Sequence, residues 1–180
     1  DQCFFSSQKL SGNFDLQIRL AGVSASDAWA KAGLMARESL DANSRMAAVL
    51  GTPSLSGCVF ESRSTTGGVA VMNGGFPVNY PNTWLRLERV GNQFSGYASF
   101  DALNWTRLGS VTLALPATVY FGLAASSHSA AQTTTVRWRD WEPTAVRTVA
   151  APRRPWEPLG PSSRKTGLAI SEILYKPAPR

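Results

Sequence analysis

The sequence is poor in the residues on which most metal sites depend. Its 180 residues include one histidine, His128, and two cysteines, Cys3 and Cys58. Two thiols exclude a thiolate-rich zinc site, and one histidine without an acidic cluster argues against a transition-metal centre. We therefore expect no transition metal and no cofactor. Calcium, which carbonyl and carboxylate oxygens bind, is not excluded by the sequence. The two cysteines form either one disulfide, if the chain is exported, or two free core thiols, and the sequence favours neither.

Long apolar runs and a strong charge on the folded part are also missing. No apolar run approaches the length that a membrane span needs. The net charge is +6, but residues 1–142 contain 11 Lys and Arg against 10 Asp and Glu, a net charge of +1. The excess lies in residues 143–165, with five basic residues and one acidic residue. A continuous basic face is not visible, so nucleic acid is not an expected partner.

What the sequence has in abundance is period-two alternation, which is typical of β-strands. In residues 14–20 (FDLQIRL), four apolar residues alternate with Asp, Gln and Arg. Residues 29–39 (WAKAGLMARES) alternate too; a helix is the rival, but the flanking strands favour a strand. Two glycine-rich turns, at residues 65–68 and 73–75, bracket a short segment that is predicted as a loop or edge strand. Further strands are predicted at 45–50, 57–64, 84–90, 93–100, 106–113, 118–126 and 133–141.

The turns between these strands set the fold class and the domain boundaries. Short turns such as Val90-Gly91-Asn92-Gln93 join consecutive strands, which predicts an all-β, antiparallel jelly-roll β-sandwich over residues 1–141. Five of the eleven prolines then fall between residues 143 and 161. We interpret residues 142–167 as a Pro/Arg-rich linker and residues 168–180 as the first strand of another domain.

Several blocks resemble a known bacterial family. Residues 29–39, 84–97 (WLRLERVGNQFSGY), 99–106 (SFDALNWT) and 119–128 (VYFGLAASSH) are similar to concanavalin A-like lectin/glucanase modules of the "regulation of enolase" type. The resemblance implies a concanavalin A-like sandwich over residues 1–141. Family members usually carry one or two more N-terminal strands, which this chain is expected to lack.

Residues 170–177 (ISEILYKP) resemble the opening strand of lamin-tail-like domains. The two resemblances together imply a secreted, multidomain bacterial protein, extracellular or at the cell surface. Other domains of the same polypeptide are then expected partners.

An enzyme of the glucanase type needs two carboxylates that reach one cleft. The pattern Glu-x-Asp-x-x-Glu is absent, and the pairs Glu38–Asp41 and Asp140–Glu142 suit surface or turn positions better. His128 follows a strand, where a structural hydrogen bond is favoured over catalysis. The segment that contains Asp101 resembles a structural hairpin motif, the Asp-box. We expect no enzymatic activity.

A carbohydrate-binding or surface-attachment module is the favoured function, with polysaccharide or cell-surface glycan as the ligand. Polar groups and aromatic platforms on neighbouring strands would line its groove. The alternatives are core or rim packing for the tryptophan, an ion-pair network for the arginines, and a structural spacer without a ligand. The candidate ligand-binding residues are Lys31, Arg37, Arg63, Trp84 and Arg86.

Overall fold

The computed structural model describes residues 3–53 and 55–143. The predicted linker beyond residue 143 and the predicted lamin-tail-like strand at 168–180 lie outside the described residues. Within them there is no helix, and hence none long and apolar enough to cross a membrane. The strands are β1 (Phe4–Ser11), β2 (Phe14–Val23), β3 (Lys31–Arg37), β4 (Met46–Gly51), β5 (Cys58–Arg63), β6 (Val71–Phe76), β7 (Thr83–Val90), β8 (Gln93–Ser99), β9 (Thr106–Thr112), β10 (Thr118–Ser126) and β11 (Val136–Pro143).

The strands form two antiparallel sheets packed face to face. The six-stranded sheet has the order β1-β10-β3-β4-β5-β6, and the five-stranded sheet has the order β11-β2-β7-β8-β9. Strands β3 to β6 and β7 to β9 pair with their neighbours in sequence, whereas other partners are far apart, as when β1 pairs with β10 along its whole length. The predicted all-β, antiparallel jelly-roll sandwich is confirmed.

Alternation places one side of each central strand in the core between the sheets. On β2, Ile18 and Leu20 are buried and face Leu34 and its neighbours from the other sheet. On β3, Ala32, Leu34 and Ala36 belong to this core. The period of two, rather than the helix-favouring composition, therefore decides the structure of residues 31–37.

Phe60 shows how closely the two sheets approach. Its ring, on β5, lies over Gly96 of β8 and Gly109 of β9. A Cβ atom at Gly96 would stand 2.4 Å from the Phe60 ring, and one at Gly109 would stand 2.9 Å from it. A larger residue at either position would collide with this fully buried ring unless the ring shifted, which favours glycine at both.

Two strands depend on tertiary context. The segment of β1 (FFSSQKLS) lacks regular alternation and is mostly exposed, so the sequence does not predict it. Pairing with β10 makes it a strand. The segment predicted as a loop or edge strand contributes the start of β6, the outermost strand of the six-stranded sheet. The strand continues to Phe76, through residues 73–75, where the sequence predicted a turn.

Candidate functional site

The five predicted ligand-binding residues lie on two separate surfaces. Lys31, Arg37 and Arg63 lie on β3 and β5 and point away from the core, on the outer face of the six-stranded sheet. Trp84 and Arg86 alternate with buried residues on β7, so they lie on the outer face of the five-stranded sheet. The single groove expected from the sequence is corrected to two surfaces, because β5 and β7 belong to opposite layers of the sandwich.

Arg37 and Arg63 are buried, and Arg63 donates hydrogen bonds to the loops around it. Arg63 donates from Nε to the carbonyl oxygen of Gly68 (3.0 Å), and from Nη1 to those of Ala42 (3.0 Å) and Ser44 (3.2 Å). Burial lowers the pKa of Arg37. Hydrogen bonds of this kind to loop carbonyl groups hold the loops that follow β3 and β5, so the structure gives Arg63 a structural role.

Arg86 and Trp84 take part in a network that closes the outer face of the five-stranded sheet. Arg86 makes two hydrogen bonds of 2.6 Å to the Asp15 carboxylate, which raise the pKa of Arg86. Its guanidinium also lies 4.9 Å from the Tyr97 ring centre. Trp84 is covered by Arg19, at 5.7 Å. Trp84 and Arg86 are therefore engaged in cation–π and ion-pair contacts with other residues of the fold.

A pocket of about 400 Å³ opens on the outer face of the six-stranded sheet. It lies where β3 begins and β10 ends, since Lys31 stands opposite Ser126 in the sheet register. Of the five predicted residues, Lys31 lines this pocket. Its floor is apolar and is formed by Met35, Met46, Leu50 and Ala124.

An ion pair stands in the wall of the pocket. The Lys31 Nζ atom lies 2.8 Å from Glu61 Oε2, and the two side chains are 24% and 15% exposed. Lys31 and Glu61 reach each other across β4, where the small Ala48 stands opposite Glu61. The pair therefore presents an ammonium donor and a carboxylate acceptor side by side, next to an apolar floor.

The loop after β10 forms the other wall and is fastened to the loop before β3. Ser26 donates to the carbonyl oxygen of Ser127 (2.8 Å), and His128 Nδ1 lies 2.9 Å from Asp27 Oδ1. The backbone N–H of Trp29 and, to a lesser degree, His128 lower the pKa of Asp27. His128 has the expected structural hydrogen bond, and it also lines the pocket.

The two cysteines are free in the structure. Cys3 lines the pocket on the outer face, whereas Cys58 is buried in the core between the sheets. The disulfide that the sequence allowed is not formed, because the two thiols lie on opposite sides of the six-stranded sheet. Burial raises the pKa of the Cys58 thiol to about 12.

Sequence reasoning missed most of the pocket. Alternation does place Met35 on the same strand face as Lys31, so this part of the floor can be predicted from the sequence. The contribution of Met46 and of the loop at residues 127–130 cannot, because it depends on which strands are neighbours. In the described part of the chain, no three His, Cys, Asp or Glu side chains are grouped to hold a metal ion.

No family model and no curated protein matches the chain. Among solved structures, a functionally unknown protein from Saccharomyces cerevisiae is similar, with 19% identity, a TM-score of 0.60, and coverage of 80% of this chain and 75% of that one. The carbohydrate-binding module CBM66 from Bacillus subtilis has 15% identity and a TM-score of 0.55, with coverage of 77% and 78%.

A third similar structure is the GH43 protein BlXynB from Bacillus licheniformis. It has 15% identity and a TM-score of 0.56, with coverage of 70% of this chain and 26% of that one. This chain therefore spans about a quarter of the length of that protein. At these identities the likeness is one of fold, and the chain has a concanavalin-like β-sandwich fold.

Proposed function

We propose that the chain is a non-catalytic carbohydrate-binding module whose pocket takes a sugar residue of a polysaccharide or cell-surface glycan. The observation that carries the proposal is the Lys31–Glu61 ion pair beside the apolar floor of the pocket. A sugar ring has an apolar C–H face and a rim of hydroxyl groups. Such a ligand needs an apolar surface together with a few fixed donors and acceptors.

The charges around the pocket favour an uncharged ligand. Lys31 is neutralised by Glu61, and Asp27 lies against His128. Trp29 lies in the loop that is fastened to the pocket wall, and it is 42% exposed. An exposed indole at this end of the sheet is a suitable platform for a second sugar residue.

The lining of the pocket supports binding without catalysis. Among the described lining residues, Glu61 is the one carboxylate, and it is held by Lys31. Glycoside hydrolysis uses two carboxyl groups on either side of the scissile bond. The similar CBM66 structure is itself described as a carbohydrate-binding module, which agrees with this class.

The wider context of the module is also proposed rather than observed. The sequence resemblances support a "regulation of enolase" type module, joined by a Pro-rich linker to a lamin-tail-like domain. They also support a secreted or cell-surface bacterial protein, in which the module attaches its neighbouring domains to a glycan. We propose no cofactor.

A glycan array probed with the full chain tests the proposed function, followed by titration of the best polysaccharide. The double variant Lys31→Gln/Glu61→Gln removes both charges together and leaves neither one unpaired. We expect it to lose at least about tenfold in affinity, equivalent to about 1.4 kcal/mol. The control is Trp84→Ala, on the opposite sheet, which should bind as the unchanged protein does. Equal loss in both variants would contradict a site in this pocket.

A structural spacer is the second candidate, and a specific observation favours it. The arginines on the outer faces are satisfied from within: Arg63 by loop carbonyls, Arg86 by Asp15. A module that only holds other domains apart needs a stable fold with its charged groups paired internally, and it needs no ligand site. Failure of the folded chain to bind any polysaccharide would favour the spacer.

A further inference from the structure

The sandwich has four edge strands, and one of them differs from the other three. The outermost strands are β1 and β6 in one sheet and β11 and β9 in the other. Charged residues lie on β1 (Lys9), on β9 (Arg107) and on β11 (Arg137 and Arg139). By contrast, residues 64–85, which include β6, contain no Asp, Glu, Lys or Arg. Charges on an edge strand oppose pairing with another strand, and β6 has no such protection.

The exposed edge of β6 is also apolar. Val69 is 90% exposed, Val71 58% and Met72 42%. At the other end of the strand, the exposed ring of Phe100 lies 4.6 Å from that of Phe76. No proline interrupts β6, and the irregularity in its pairing with β5 begins only at Gly74. The segment Val71–Asn73 is thus a regular, uncharged strand with one edge unpaired.

We propose that β6 pairs with β6 of a second copy of this chain, antiparallel and about a two-fold axis near Val71. Two copies related by such an axis present the same surface to each other. The two Val71 side chains would then lie against each other across the new strand pair, and the unpaired N–H and C=O groups would be satisfied. The result is one continuous sheet of twelve strands.

The absence of charge on β6 favours a second copy as the partner. An uncharged edge has no charge with which to select a charged peptide, whereas it meets no repulsion from an identical edge. Of the chain's net charge of +6, residues 1–142 carry only +1, so that the sandwiches themselves repel each other little. None of the β6 residues lines the pocket, and the pairing therefore stands or falls independently of sugar binding.

Sedimentation equilibrium of the full chain over a range of concentrations tests the proposal. We expect a monomer–dimer equilibrium that Val71→Lys weakens by at least about tenfold, because it sets like charges opposite each other in the strand pair. Val71 is largely exposed, so the variant keeps the core and should unfold at an unchanged temperature. The matched control is Thr112→Lys, at an exposed position on the other sheet's edge strand β9, which should dimerise normally.

A mixture of variants sharpens this test. Val71→Lys and Val71→Glu should each dimerise at least about tenfold more weakly than the unchanged protein, and an equimolar mixture at low salt should regain the dimer because opposite charges now face each other. A monomeric unchanged protein at every concentration would overturn the proposal. A dimer that Val71→Lys does not weaken, or a mixture that stays monomeric, would overturn it too.

Discussion

The outer face of the six-stranded sheet is recessed around Lys31 and Glu61, whereas the outer face of the five-stranded sheet is closed by Arg86 and its partners. Both faces carry an arginine or lysine paired with a carboxylate. On the first, the pair stands beside an apolar floor and a loop that rises as a wall. On the second, aromatic rings cover the pair. The neighbours of a charged pair, more than its own residue types, make the difference between a ligand site and a structural contact.

The largest expected effect is a difference in alkylation rate between the two thiols, which lie on opposite sides of the six-stranded sheet. Cys3 is partly exposed, while Cys58 is buried with its pKa raised to about 12. Because the thiolate is the reactive form, we expect Cys3 to be alkylated faster in the native protein by several orders of magnitude. Labelling with iodoacetamide followed by peptide mass spectrometry measures this. Both thiols should react in denaturant without a reductant, and an unreactive pair there would indicate a disulfide.

The next largest effect is expected for Arg63 on the six-stranded sheet. Arg63→Met removes three hydrogen bonds to carbonyl groups, two of them from the loop after β3. We expect a loss of about 3 kcal/mol in the free energy of unfolding, measured with urea. Arg45→Met serves as the control. It breaks a more exposed pair with Glu38 and should lose less than about 1 kcal/mol. Equal losses would show that Arg63 holds nothing in place.

Arg86 should matter less, although its ion pair has good geometry. Arg86→Met removes both hydrogen bonds to Asp15 and the contact with Tyr97. We expect a loss of about 1 to 2 kcal/mol in the free energy of unfolding. A double-mutant cycle with Asp15→Asn separates the pair from its surroundings. A coupling energy near zero would contradict the closed network described for this face.

Compared with Arg63 and with the Arg86–Asp15 pair, the Lys31–Glu61 pair is expected to contribute least to the free energy of unfolding. Replacing both by glutamine should change the free energy of unfolding by less than about 1 kcal/mol, because neither charge remains alone. Urea unfolding of the double variant checks this and also validates its use in the binding test. A large loss of stability would assign the pair to structure, as on the opposite face.

The smallest effect is an acid-dependent one at the hairpin between β8 and β9. The N–H groups of Asn104 and Leu103 bind the Asp101 carboxylate and lower its pKa well below the ordinary value of 3.8. Since the folded pKa is lowered, this stabilisation is present above pH 4 and disappears as the pH falls through the folded pKa. Asp101→Asn should therefore flatten the decline of the melting temperature below pH 4. An unchanged decline would show that Asp101 does not contribute to it.

The hairpin also shows where sequence reasoning succeeds. Asp101 was expected to stabilise a turn, and its carboxylate does accept hydrogen bonds from the turn that follows it. Such local contacts, like the alternation in β2 and β3, involve residues close in sequence and can be predicted. The partner of Arg86 is 71 residues away, and Phe60 meets glycines 36 and 49 residues further on. No local pattern contains these contacts.

The sequence by itself determined that the chain is an all-β sandwich, which residues alternate into its core, and that residues 1–142 are nearly neutral. These properties follow from period-two burial and from composition. Only the tertiary structure decided that Lys31 and Arg86 lie on opposite faces, that Cys3 and Cys58 are on different sides of one sheet, and that β6 is an unprotected edge. The reason is that strand order depends on pairing between distant segments, and the alternation of one strand does not specify its neighbour.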